Sequence, residues 1–96
     1  MKAVVWEPPA RQEYDDALAV SRDAAAFQRV IEDALQDIVA GRVTHAKVGR
    51  SGGRRCVLSE IPYSIVYTET DDEIRVYAMP HHKRRTNYWK QRLPKN

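Results

Sequence analysis

The stretch PHHKRRTNYWKQR, Pro80 to Arg92, gathers two histidines, five Lys/Arg and two aromatics into thirteen residues without an acid. The imidazoles of His81 and His82 titrate near neutrality and can give or take a proton. Lys83, Arg84, Arg85, Lys90 and Arg92 are cations suited to an anionic target. Interleaved with Tyr88 and Trp89, they make the cation-and-ring mixture that single-stranded nucleic-acid binders use. Quieter roles fit the same residues. A histidine just after a strand can simply pack, and an indole left in water is costly, so Trp89 is expected to anchor the tail on the sheet. Arg54 and Arg55 add two cations at the start of a strand, where alternation sends them to opposite faces.

Other chemistries find no support in the sequence. One cysteine, Cys56, excludes an intramolecular disulfide and fits a reducing compartment. No Cys/His spacing suggests structural zinc, and no acid pair suggests a metal site. The GRSGG segment lacks the Lys-Ser/Thr of a phosphate-binding loop. The acids of Asp71–Glu73 read as a solvated turn. No cofactor or metal is expected. The apolar run at the N-terminus is too short for a signal peptide, and no window is long enough for a membrane span, so a cytoplasmic setting is expected.

Charge is unevenly placed. Residues 1–41 hold four Lys/Arg and eight Asp/Glu, net −4, and residues 42–96 hold twelve and five, net +7. Such a directed field favours polyanions or an acidic protein partner on the basic side.

The elements that must position these residues can be read from periodicity. Ninety-six residues make one domain, 1–96. Lys2–Trp6 is a β-branched and aromatic strand ended by Glu7-Pro8-Pro9, and Pro9 suits a first helical turn. Ala10, Tyr14, Ala17 and Leu18 form one helical face. Ser21 or Asp23 can cap a second helix, whose stripe is Phe27, Val30, Ile31, Ala34, Leu35, Ile38 and Val39. Gly41 sits where a left-handed C-cap belongs. Residues 43–53 then read as a loop. Arg54–Glu60, Tyr63–Thr68 and Ile74–Met79 read as strands, with a reversal at Pro62 and an acidic hairpin turn before Ile74. The expected order is β-α-α-β-β-β plus a basic tail. That is an α+β fold with a helical hairpin packed on a mainly antiparallel sheet.

That order, with the PYSIVY strand, the acidic turn, the following strand, and then His, a basic cluster and YW..R, resembles the C-terminal half of the RelE/ParE toxin superfamily. A weaker likeness at PARQEYDDAL extends it over most of the chain. The resemblance implies the toxin of a type II toxin–antitoxin system, of the kind labelled plasmid-stabilisation proteins. Such toxins inhibit growth and are neutralised by a cognate antitoxin, often through an acidic segment. It also implies two alternative activities. ParE-like members inhibit DNA gyrase, whereas RelE-like members are metal-independent mRNA endonucleases (mRNA interferases) acting on the ribosome.

The RelE pattern supplies three strand cations, then an Arg and a Tyr near the C-terminus. Here Arg55 matches one strand cation, and the other two positions fall on Val57 and Ser64. Arg84 matches, Tyr88 is displaced along the tail, and His81 or His82 could replace the missing acid or base. A RelE-like catalytic set would therefore be Arg55, His81, His82, Arg84 and Tyr88. Target contacts in either case would come from Arg54, Arg55, Lys83, Arg84, Arg85, Lys90 and Arg92. Losing one transition-state donor costs on the order of a hundredfold in rate, so the missing cations favour the ParE-like side. A basic nucleic-acid-binding module without toxicity is a third expectation.

Overall fold

The computed structural model describes residues 2–49, 52–84 and 87–94. The chain runs β1 (Ala3–Trp6), α1 (Pro8–Val20), α2 (Ala24–Val39), β2 (Ala46–Val48), β3 (Gly53–Val57), β4 (Ser64–Glu69) and β5 (Glu73–Ala78), and a single 3₁₀ turn lies at Lys90–Arg92. The strands form one sheet in the order β1-β5-β4-β3-β2. Its first pair, β1 with β5, is parallel, and the other three are antiparallel.

Local chemistry sets the helix ends. Pro8 and Pro9 occupy the first turn of α1, where an absent N–H leaves no helical bond unmade. The Glu7 N–H donates to the Val76 carbonyl at 2.9 Å, so pairing with β5 continues up to the start of α1. Of the two candidate caps for α2, Asp23 serves, accepting from the Ala26 N–H at 3.0 Å. Ser21 instead closes α1, its N–H and hydroxyl both meeting the Leu18 carbonyl. Gly41 has φ +70° just past α2, and its N–H donates to the Ile38 carbonyl at 3.0 Å.

The sheet carries a core on each face. Toward the helices, Tyr14, Phe27, Ile31, Leu35 and Ile38 pack on Cys56, Ile65, Tyr67, Ile74 and Val76. Ala10, Ala17 and the α2 stripe read from periodicity lie in or against this core. On the other face, Val66, Tyr77 and Ala78 are covered by Trp89 and Leu93, which return from the C-terminal tail. A bulge makes this possible. Val66 pairs with Ala78 but Tyr67 pairs with Val76, so Tyr77 is an extra residue in β5. Both Tyr77 and Ala78 then belong to the outer core.

Two expectations are corrected. Residues 43–53 are not all loop, because β2 pairs there with β3 in the register Ala46↔Arg55, Lys47↔Arg54 and Val48↔Gly53. The expected strand 54–60 stops at Val57; the Leu58 N–H still reaches the Tyr63 carbonyl at 3.1 Å across the reversal.

Candidate functional site

The basic tail is fastened where it leaves the sheet. The Pro80 carbonyl accepts from the Ser64 N–H at 2.9 Å, and the His82 N–H donates to the Pro62 carbonyl at 2.8 Å, so residues 80–82 run beside the start of β4. His81 stands edge-on to Tyr63, with ring centroids 4.9 Å apart. Its Nδ1 accepts from the Lys83 N–H at 3.0 Å, which leaves Nε2 to carry the proton of the neutral ring. His82, Lys83 and Arg84 are exposed. Asn87 then turns the chain at φ +67°, a conformation asparagine tolerates better than other side chains. Beyond it Trp89, 1% exposed, is pinned against the outer face of the sheet. It anchors the tail as expected, so its ring is unavailable for stacking on a ligand.

Under the tail lies an acid that the sequence did not single out. Glu13 projects from α1 with its side chain only 14% exposed. Its Oε1 accepts from the Met79 N–H at 2.9 Å and from Arg92 Nη1 at 3.2 Å. Its Oε2 accepts from the Tyr88 hydroxyl at 2.7 Å and from Arg92 Nη2 at 3.3 Å. A carboxylate so far from water is stable only with such partners. Arg92 also donates to the carbonyl of the bulged Tyr77 at 3.2 Å. Two guanidinium groups lie over the Tyr88 ring, Arg84 at 4.4 Å and Arg92 at 5.1 Å from its centroid. Burial and the Glu13 carboxylate push the Tyr88 phenol well above its ordinary value. Tyr88 is therefore a hydrogen-bond donor locked to α1.

The strand cations separate, as alternation required. Arg54 lies on the helix side, where its Nη1 donates to the His45 carbonyl at 2.7 Å. His45 Nδ1 meets the buried Tyr67 hydroxyl at 2.7 Å. Burial, then Arg54, lowers the His45 pKa, and burial raises that of Tyr67 to about 12. Arg55 lies on the outer face and donates to the Ser64 hydroxyl at 3.3 Å. Val57 pairs with Ser64 in the same ladder. The three positions at which a RelE-like site needs cations thus adjoin one another, but they hold one guanidinium, a fully buried Ser64 and a Val57 that is 63% exposed.

The predicted residues therefore fall into two groups. Arg55 belongs to the outer face of the sheet. His81 and Arg84, with Glu13, Asp16, Tyr63 and Met79, line a groove of about 300 Å³ beside α1. Among the described residues no hydrogen bond or ion pair joins Arg55 to His81, His82, Arg84 or Tyr88. Lys90 is exposed at the start of the 3₁₀ turn, and Arg92 is committed to Glu13. Arg85 lies outside the described residues. A second, apolar groove of about 570 Å³ adjoins the first through Ala17, Val20 and Tyr63 and is walled by Phe27, Val30 and Ile61. Among the described residues no three His, Cys, Asp or Glu stand close enough to hold a metal ion, and no helix is long and apolar enough to cross a membrane.

Comparison with known proteins places this geometry. No protein-family model matches the chain, and no curated protein does. Among solved structures, a chain of the "Chromosomal ParDE TA system from P. aeruginosa" superposes with a TM-score of 0.58 at 18% identity, covering 84% of this chain and 96% of that one. Two helices on a five-stranded mixed sheet are thus a ParE-like α+β fold, as the sequence resemblance implied. At that identity the likeness is one of fold.

Proposed function

We propose that the chain is the toxin of a type II toxin–antitoxin pair and acts as a ParE-like inhibitor of DNA gyrase without cleaving RNA. The observation that carries the reading is the outer face of the sheet. Metal-free cleavage of RNA requires clustered cations to stabilise a pentavalent phosphate, and the adjoining positions 55, 57 and 64 offer only Arg55. Tyr88, the remaining RelE-like candidate for an acid, has its hydroxyl hydrogen engaged in a hydrogen bond to Glu13 instead. What remains exposed is a basic edge, His82–Lys83–Arg84 with Lys90, suited to binding an acidic or phosphate-bearing surface. An antitoxin with an acidic segment is the partner this charge favours.

The experiment is a supercoiling assay with purified chain and gyrase. Inhibition or trapped cleaved DNA is expected, weakened by Arg84→Ala. No effect at saturating chain removes the proposal. The RelE-like reading keeps one supporting observation, the proximity of His81 and Arg84 around a single groove. It predicts cut mRNA in the ribosomal A site after induction, and intact transcripts dispose of it.

A further inference from the structure

Arg84 is exposed, and among the described residues its guanidinium forms no ion pair. A surface arginine of this kind ordinarily samples many rotamers, and ordering it before a ligand arrives lowers the entropic cost of binding. Here its guanidinium lies 4.4 Å from the centroid of the Tyr88 ring. That ring is held in turn by its hydroxyl bond to Glu13. Glu13 is held by a backbone group, the Met79 N–H just past β5, which cannot shift without moving the sheet. Order is thus relayed from β5 through Glu13 and Tyr88 to Arg84.

We propose that Glu13 is a positioning residue: acting through Tyr88, it fixes the Arg84 guanidinium at the mouth of the groove shared by His81, Tyr63 and Met79, ready for an anionic group of the target. The functional part of this inference rests on the reading of the basic edge as the working end. The geometric part does not. The tail has a second attachment, since Trp89 and Leu93 pack on Val66, Tyr77 and Ala78 independently of Glu13. Tyr88 also packs against that outer core, so loss of the Glu13 link should loosen the orientation of its ring and of Arg84 while the tail stays on the sheet. A purely structural role would instead loosen tail and sheet together.

The test compares the wild-type chain with Glu13→Ala and Tyr88→Phe by NMR. Tyr88→Phe keeps the ring and removes only the hydroxyl, so it remains informative if Glu13→Ala does not fold. In the wild type, the Arg84 side-chain protons should be displaced upfield by the Tyr88 ring current. Both variants should lose at least half of that displacement, with the Trp89–Leu93 amides still protected from exchange. Growth arrest on induction should weaken at least tenfold in both variants, to the level of Arg84→Ala. An undisturbed Arg84 displacement in folded Tyr88→Phe overturns the inference, as does unaltered growth arrest once the displacement is gone. If the wild-type chain causes no growth arrest, the toxin reading fails, and the NMR comparison alone still decides whether Glu13 positions Arg84.

Discussion

Gly53 shows how one missing side chain holds the tail in place. A Cβ there would come 2.9 Å from Leu93 Cδ1 and 3.2 Å from both Leu93 Cδ2 and Val48 Cγ2, so the Leu93 side chain would have to shift to admit it. Gly53→Ala should destabilise the fold by about 1–2 kcal/mol, within the usual range for overpacking. It should also raise the solvent exposure of Trp89. A denaturant midpoint and the tryptophan emission maximum of a Trp6→Phe background measure both, and an unchanged midpoint contradicts this account of Gly53. At this scale the sequence was only partly informative. Trp89 was legible as an anchor because a bulky indole in a basic tail has few other stable places. Glu13 was not, since it is one acid among several on α1 and its four donors lie 66 to 79 residues away. His45 was equally silent, because nothing near it in sequence points to Tyr67.

The helices were the most legible elements, and the reason is periodic burial. The stripe from Phe27 to Val39 is one face of α2, and the structure buries or half-buries each of its members. Asp23 completes that helix, and Asp23→Ala should lower stability by about 1 kcal/mol through an unsatisfied Ala26 N–H. Thermal unfolding monitored by circular dichroism would read this as a lower midpoint, and Asp23→Ser should restore most of it. β2 escaped notice for a physical reason. It is three residues at the edge of the sheet, and only Val48 contributes to a core. So short a run shows no alternation, and its existence depends on pairing with β3. The strands β4 and β5 were legible in place, but the bulge at Tyr77 was not. It is covered by Trp89 and Leu93 and bonded by Arg92, all supplied by the tail.

At the scale of the whole molecule, the response to acid depends on a group that is neutral when folded. Burial and Arg54 lower the His45 pKa below its unfolded value near 6.5. The unfolded chain therefore takes up this proton first as pH falls. The stability His45 contributes is full above about 6.5 and is lost as pH drops from there through the folded pKa. His45→Gln removes the titration, so wild type should exceed it most near pH 7.5 and the gap should narrow by pH 5.5. Urea denaturation at both pH values would show this, and a gap that widens toward acid reverses the assignment.

The parallel pairing of β1 with β5 sets the order in which the molecule can be completed. The first strand pairs with the last of the described strands in the register Ala3↔Glu73 to Trp6↔Val76, and Glu7 meets Arg75 at 2.8 Å. The N-terminal strand and the acid on α1 thus find their partners only after residues 73–92 exist, and pairing over such separations is slow to form. A ribosome delivers residues 3–6 well before residues 73–76, so the first strand must wait for its partner. A nascent copy halted before Met79 has no anchored tail and no arranged arginine. Synthesis must pass Arg92 before Glu13 can meet its partners, and a fragment released earlier carries helices and strands but no assembled basic edge.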